Sequence, residues 1–415
     1  MRFELTARTG HPDFLDLPWS EPLSDWQHDR VVEIPLGVHR HVVRVVEYDE
    51  GLYVLKELPR RYADREYRFL RYLREEEVPA VDVVGVVRGR TASADDEPLE
   101  AVLITRHLEF SLPYRHLFQR RDAAELRDPM LDALVGLLVQ IHLVGFMWGD
   151  CSMSNTLFRR DAGRLAAYVV DTETGELHDE LTDGQRRHDV EIAIERCAGE
   201  LFDLAAAGLV PPGVDPVELG EDLRSRYTDL WDELTRDEVF GPDERFRLHE
   251  RLERINELGF DVEEIQLEGD DQAVRLHLSP DVVEPGRPRR RLRQLTGLDV
   301  QDNQARRLLN DMESFRAWLQ HEEGRELPDR VVAARWLDQS FEPTVAAVPD
   351  ELRGKREPAE IFHEVLEHWY FMSDVEGQDM DLPAATRSYI EQVLREVPDE
   401  VVVLDDAGES EDGEE

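Results

Sequence analysis

The chain has 415 residues, 41% of them apolar, and sets 92 acidic against 49 basic side chains for a formal charge of −43. A field of that sign repels DNA, RNA and anionic membrane surfaces, so general nucleic-acid binding is not expected, although a local basic pocket stays open. Cys151 and Cys197 are too few for a disulfide framework, the first residues lack the apolar core of a signal peptide, and no run reaches the length of a membrane span; the sequence reads as cytoplasmic with no integral membrane segment.

The length implies two or three domains. The stretch Asp399–Glu415 holds nine acids and no base, yet most of the excess charge is spread along the rest of the chain. Acid-rich, lysine-poor surfaces of this kind suit a salt-rich, halophilic cytoplasm, where screening weakens self-repulsion.

After an N-terminal extension over residues 1–24, short β-rich runs are predicted at Val31–Ile34, His41–Glu47 and Leu52–Leu58, the last two joined as a hairpin by Asp49-Glu50-Gly51. A helix follows from about Arg60 to Glu76, then strands at Val81–Val87 and Ala101–Thr105. Helical spacing takes over at Ala124–Val144, where Met130, Leu131, Leu134, Leu137, Leu138 and Ile141 share a face. Thr156–Arg159 and Leu165–Val170 form a strand pair around Asp161-Ala162-Gly163, and helices run through Ile192–Ala207 to the stop at Pro211-Pro212-Gly213. Beyond Pro216 the pattern predicts a helix at Glu244–Leu258, a hairpin from Asp261–Leu267 and Ala273–Leu278, helices at Asn303–His321, Pro328–Phe341, Pro358–Phe371 and Leu382–Val397, and a disordered acidic tail over 399–415.

Only two basic residues are lysines, Lys56 and Lys355. Arginine serves elsewhere, which suggests that Lys56, at the end of Tyr53-Val54-Leu55-Lys56, sits where a compact ammonium is needed and a planar guanidinium will not substitute. On the following helix Tyr62, Glu66, Phe69, Leu70 and Leu73 fall on one stripe, so Glu66 is a carboxylate on a buried face and needs a partner. Lys56 is the obvious one; pairing with Arg65 or Arg71, or snorkelling outward, is the plainer alternative.

The strongest local signal is Gly149-Asp150-Cys151-Ser152-Met153-Ser154-Asn155 followed by Val169-Val170-Asp171. Phosphoryl transfer needs an aspartate to position the attacking hydroxyl and accept its proton, and oxygen ligands that hold Mg²⁺ against the nucleotide phosphates. Asp150, then Asn155 five positions on, then Asp171 after a hairpin meet that order. Each piece alone is common, and a helical domain with polar loop caps is the plain alternative.

With Lys56, the constellation resembles the protein-kinase-like superfamily. From about Val31 to Asp171 it looks like the lipopolysaccharide kinase (Kdo/heptose kinase) branch of that fold. Trp148 to Gly163, Val170 to His178 and Leu298 to Asp311 are similar to a bacterial family of uncharacterised proteins in which a kinase-like region precedes a C-terminal domain of unknown function. The resemblance implies an α+β, bilobal protein-kinase-like fold with a β-rich N-lobe and a helical C-lobe, followed by a smaller, mainly helical α+β domain. It implies ATP and Mg²⁺ as cofactors, Asp150 as base, Asn155 and Asp171 as metal ligands, and Lys56 with Glu66 as the phosphate clamp.

The chain departs from the kinase pattern in three places. Gly37 is the only glycine where a phosphate-covering loop usually has several, with His39, Arg40 and His41 as possible side-chain substitutes. Trp148 stands where a polar residue is usual, so the loop is expected to be braced by packing. Asp171-Thr172-Glu173 replaces Asp-Phe-Gly, with Glu173 read as an exposed strand-end carboxylate. Cys151 and His142 read as packed core residues.

In the C-terminal region, Arg287, Arg289, Arg290, Arg291 and Arg293 form a basic cluster that either binds a phosphorylated or carboxylated partner or anchors neighbouring acidic helices. His363 and Glu367 share a helix face but lack the second histidine of a zinc-protease helix. Trp318, Trp336, Trp369, Tyr370 and Phe371 read as core aromatics.

The expected organisation is a kinase-like domain over 25–235, its N-lobe to about 105 and C-lobe from about 110, then a C-terminal domain over 236–398. The expected activity is transfer of the ATP γ-phosphoryl group to a hydroxyl of an unknown sugar or glycan, small metabolite or protein, with base contacts from the connector Thr105–Glu109. The alternatives are a nucleotide-binding pseudokinase or scaffold whose C-terminal domain recruits a protein partner, and a metal-dependent hydrolase built on the carboxylates near Asp171.

Overall fold

The computed structural model describes residues 3–34, 40–49, 51–93, 97–114, 117, 123–210, 215–236, 238–240, 247, 250–251, 254, 260–262, 266–269, 274–277, 283–375 and 380–400. Gly37, most of the expected helix Glu244–Leu258 and the tail after Glu400 lie outside the described residues.

The N-terminal strands are β1 (Glu4–Ala7), β2 (Val31–Val32), β3 (Val42–Tyr48), β4 (Gly51–Leu58), β5 (Val83–Arg88) and β6 (Ala101–Arg106), and helix α1 (Arg60–Glu75) lies between β4 and β5. The strands pair antiparallel in the spatial order β1-β5-β6-β4-β3-β2. Both faces are covered. Tyr53, Leu55, Val102 and Ile104 point to one side, whereas Leu58, Ala101 and Leu103 point to the other, where Ala63, Tyr67 and Leu70 of α1 meet them. The period-two alternation puts Lys56 on the side of Leu58, facing α1.

The opposite face is closed by Phe14, Leu17, Trp19, Leu23 and Trp26, so residues 4–26 add both an edge strand and a layer of core. Arg90, fully buried, pins this segment: its guanidinium donates to Trp19 O at 3.0 Å, to Glu21 O, and to Glu57 Oε1 at 2.7 Å. A charge buried this deeply is tolerated only because its donors are met.

The chain then turns helical, with a short strand β7 (Leu112–Pro113) leading to α2 (Ala123–Leu143). The strands β8 (Phe146–Met147), β9 (Thr156–Asp161), β10 (Arg164–Val169) and β11 (Glu176–Leu177) carry the loop structure of the site, and α3 (Asp183–Ala206) and α4 (Pro216–Thr235) pack behind it. Leu134, Leu138, Ile141, Phe146, Phe158, Val169 and Leu201 are among the residues of the shared core. Helix α3 begins well before the expected Ile192, because Thr182 and Gln185 form a reciprocal capping box that starts it at Asp183. The two lobes are stitched directly: Val81 N donates to Val169 O at 2.9 Å and Val169 N to Pro79 O at 3.0 Å, as a parallel bridge at Ala80.

The C-terminal segment contains α5 (Arg287–Thr296), α6 (Asp302–Glu323), α7 (Asp329–Trp336), α8 (Pro358–Tyr370) and α9 (Leu382–Gln392). The expected hairpin is shorter and shifted: Gln266–Gly269 pairs with Val274–His277, whereas Phe260–Val262 pairs instead with Val283–Pro285. Trp336 is buried with Leu308, Met312, Phe341 and Phe362. Trp318, Tyr370 and Phe371 are not core residues; they are 52%, 66% and 48% exposed. Trp318 is one position off the buried stripe Leu308, Met312 and Leu319 of α6, which turns it outward.

Replacing Trp19 with Ala should lower the unfolding free energy by about 3–5 kcal/mol, because the indole is fully buried and also donates to Phe14 O at 2.7 Å. Urea unfolding of the full chain measures this, and an unchanged midpoint would show that the N-terminal layer is dispensable.

Candidate active site

Lys56 and Glu66 meet because strand alternation aims one toward α1 and the helix stripe aims the other toward the sheet. Lys56 Nζ lies 3.0 Å from Glu66 Oε2 and 3.3 Å from Glu66 Oε1. It also lies 2.6 Å from Asp171 Oδ2, so the ammonium bridges the two lobes. Burial pushes Lys56 down, but Glu66 and Asp171 outweigh it and hold the ammonium above the usual lysine range. Glu66 is 1% exposed, and burial, reinforced by the Asp171 charge, pushes it up to about 8 against the pull of Lys56. Below about 8 Glu66 thus keeps its proton, and the Lys56 ammonium is balanced by the Asp171 carboxylate.

Asp150 and Asn155 lie on the loop between β8 and β9. Asn155 Nδ2 donates to Asp150 O at 3.0 Å and to Asp150 Oδ2 at 3.3 Å, while its backbone nitrogen donates to Ser152 Oγ at 3.1 Å. Val170 N donates to Asn155 O at 3.1 Å, which brings Asn155 beside the strand end that carries Asp171. Asp171 Oδ1 accepts from Glu173 N at 2.9 Å. The structure therefore brings Lys56, Glu66, Asp150, Asn155 and Asp171 together where the two lobes meet.

Packing alone does not brace the loop. Asp189 of α3, fully buried, accepts from Trp148 N and Gly149 N at 2.7 Å each and sits 3.0 Å from His142 Nε2. Two oriented N–H donors stabilise a buried carboxylate, and the carboxylate in turn fixes the loop. His142 is held on its other side by Tyr227 Oη at 2.6 Å, which makes it a satisfied core histidine. Trp148 supplies more than bulk: Nε1 donates to Asp171 O at 2.7 Å, and Thr174 Oγ1 donates to Trp148 O at 3.0 Å. Gly149 has φ +74°, and a Cβ there would come 3.3 Å from Thr174 O, so glycine is required for this close approach.

Two further residues of α3 reach the loop. Glu200 accepts from Met153 N at 2.9 Å and Ser154 N at 3.2 Å, and Arg196 Nε lies 3.1 Å from Asp150 Oδ1. Asp189, Arg196 and Glu200 recur at i, i+7 and i+11, one side of a helix. The sequence reading missed all three. The signal was the capping pattern Thr182-x-x-Gln185, which places Asp189 inside a helix.

Glu173 is not the exposed strand-end carboxylate expected. Its side chain is 11% exposed, 3.0 Å from His41 Nε2 and 3.2 Å from the Arg40 guanidinium, so β3 and the segment before it contact the large lobe here. Cys151 and Cys197 are buried free thiols, both raised by burial.

The donor set suits a hard cation: the Asp171 carboxylate and the Asn155 carbonyl are oxygen ligands. Among the described residues no group of three or more His, Cys, Asp or Glu side chains is placed to hold a metal. A Mg²⁺ at Asn155 and Asp171 would thus need other oxygens, such as phosphates or water, to complete its shell, as is usual for this ion. His363 and Glu367 are an ion pair at 3.3 Å.

Family models match two segments of the chain. Residues 46–197 match the lipopolysaccharide kinase (Kdo/WaaP) family and residues 229–394 match a domain of unknown function, DUF4032. A segment similar to the Kdo/WaaP kinases is thus followed by one similar to DUF4032. Its fold is the α+β, bilobal kinase-like one, a β-rich small lobe and a helical large lobe followed by mainly helical structure. Among curated proteins none matches the chain. A solved structure of WaaP in complex with acyl carrier protein is similar at 16% identity over 55% of this chain and 89% of that one, with a TM-score of 0.34. No helix of the described residues is long and apolar enough to cross a membrane.

Between the ordinary carboxylate value and about 8, the folded chain keeps a proton on Glu66 that the unfolded chain has released, so stability falls as pH rises through that window. Glu66→Gln should flatten the decline. Urea unfolding from about pH 5 to about pH 8.5 tests this, and an unchanged slope in the variant would place the proton on another group.

Proposed function

We propose that the chain is an ATP- and Mg²⁺-dependent phosphotransferase acting on a hydroxyl of a sugar or glycan, a small metabolite or a protein. The kinase-like domain spans 25–235 and a C-terminal domain spans 236–398 in this reading, and the site works in the cytoplasm. The Kdo/WaaP match supports a kinase-like phosphotransferase as the broad class. The observation that carries the finer reading is the Lys56 ammonium held between Glu66 and Asp171, one from each lobe.

In this reading Lys56 binds the α and β phosphates, and Glu66 keeps it aimed into the cleft. Asn155 and Asp171 would hold the Mg²⁺, which supplies charge neutralisation for the transferring phosphoryl group when bound. Asp150 Oδ2, turned toward Asn155, takes the proton of the attacking hydroxyl as the bond from that oxygen to the γ-phosphorus forms and ADP departs. Gly37 allows one close backbone approach to phosphate. A cation at Asp171 would draw Glu66 back toward its ionised form.

A second reading is a nucleotide-binding pseudokinase or scaffold whose C-terminal part recruits a protein partner. One observation favours it: Arg196 already occupies Asp150 Oδ1.

Titration calorimetry with Mg·ATP, followed by an unbiased phosphate-transfer screen, separates the two. Asp150→Ala should keep Mg·ATP binding and lose about 10²–10⁴-fold in transfer. A variant that transfers phosphate like the wild type would sink the assignment of Asp150, and one that performs its cellular role unchanged would favour the scaffold.

A further inference from the structure

Two acidic side chains of the kinase-like part each sit at the N-terminus of a helix from the C-terminal segment. The first is Glu77, just past the end of α1, the helix that carries Glu66. Its carboxylate lies 3.1 Å from the Arg290 guanidinium and 3.5 Å from that of Arg293. It also lies so near the start of α5 that a Cβ on Gly286 would come within 3.2 Å of Oε2. Gly286 is the N-cap of α5 with φ +83°, a backbone conformation that calls for glycine.

The second is Asp161, in the turn of the β9–β10 hairpin that joins Asn155 to Asp171. It is buried, and its carboxylate accepts from Gln304 N at 2.8 Å, Asn303 Nδ2 at 2.8 Å and Asn303 N at 3.2 Å, which are the exposed donors of the first turn of α6. Around it, Ala162 N donates to Glu360 Oε2 at 2.9 Å, Arg160 Nε donates to Glu400 Oε1 at 2.6 Å, and Gln304 Nε2 donates to Glu360 Oε2 at 2.8 Å. The hairpin tip is therefore held by α6, α8 and the residues after α9. Helix N-termini attract carboxylates through their free N–H groups and the helix dipole, which is what holds Asp161, whereas Glu77 is held by the guanidinium groups of Arg290 and Arg293.

We propose that the C-terminal segment is a clamp in cis that sets the geometry of the candidate site, with Glu77 and Asp161 as its positioning residues. This rests on the phosphotransferase reading for its functional meaning. Glu77 fixes where α1 ends, and hence how Glu66 stands against Lys56. Asp161 fixes the far end of the hairpin whose near ends carry Asn155 and Asp171. The arginine cluster of α5 is on this account an intramolecular fastening, with Arg289 on Asp299 and Arg291 on Glu313 completing it.

The test is a charge exchange in the full-length chain. Glu77→Arg and the double variant Arg290→Glu with Arg293→Glu are compared with the combination of all three, by hydrogen exchange and by Mg·ATP titration with transfer kinetics. Either single-side reversal should raise exchange in α1 about tenfold while α7 and α8 stay protected, and should weaken Mg·ATP binding about tenfold. The combined exchange should recover most of both losses, which a merely destabilising substitution would not do. Unchanged protection of α1 in the reversed variants, or no recovery in the combination when α7 and α8 remain protected, overturns the clamp. If the wild type binds no Mg·ATP, the nucleotide reading fails by itself, and the exchange pattern of α1 still decides the clamp. Asp161→Asn supplies a milder second variant: exchange should rise in β9 and β10 and KM for ATP should rise more than kcat falls.

Discussion

A carboxylate buried on the inner face of α1 is unfavourable until a cation reaches it, and the arrangement of the small lobe follows from that requirement. Lys56 can reach Glu66 only because β4 is central in the sheet and α1 packs across its face, with Leu58, Ala63, Leu70 and Leu103 setting the spacing. The same ammonium then finds Asp171, and the lobes acquire a shared electrostatic centre. Glu66 keeps its proton below about 8, so any positive charge added at this centre would shift that proton off.

Helix α3 makes the other half possible. A loop that carries Asp150 and Asn155 has exposed backbone donors and would otherwise adopt many conformations. Asp189 and Glu200 bind four of those nitrogens, at Trp148, Gly149, Met153 and Ser154, from one side of one helix. The loop is rigid because the helix is, and the helix is anchored by Val190, Ala193, Cys197 and Leu201 in the large-lobe core. Trp148 joins this bracing to the segment after β10, so the two halves of the proposed metal site share a support.

Local periodicity made part of this legible. The scarcity of lysine singles out Lys56 and the helical stripe through Glu66 calls for a cation to meet it, and a hairpin between Asn155 and Asp171 brings their backbones together. The bracing by Asp189 was not legible, because it depends on where α3 starts and on a contact made forty residues from its partners. The packing of Phe14, Trp19 and Trp26 beneath the sheet was missed because those residues follow neither period of a regular element. Glu173 was misread because its partners, Arg40 and His41, approach from the other lobe. Glu77 and Asp161 look like ordinary turn acids, and only the folded C-terminal segment reveals the arginines that meet Glu77 and the helix start that meets Asp161. Trp318, Tyr370 and Phe371 show the converse error, since an aromatic side chain is placed by its angle around the helix axis and not by its size.

The bridge at Ala80 has a mechanical consequence. Two backbone hydrogen bonds join the segment after α1 to the last residue of β10, just behind Asp171. Sliding one lobe over the other would break both bonds, whereas a rotation about the bond pair leaves them intact. An opening that spares both bonds would turn about this pair and would part Arg40 and His41 from Glu173.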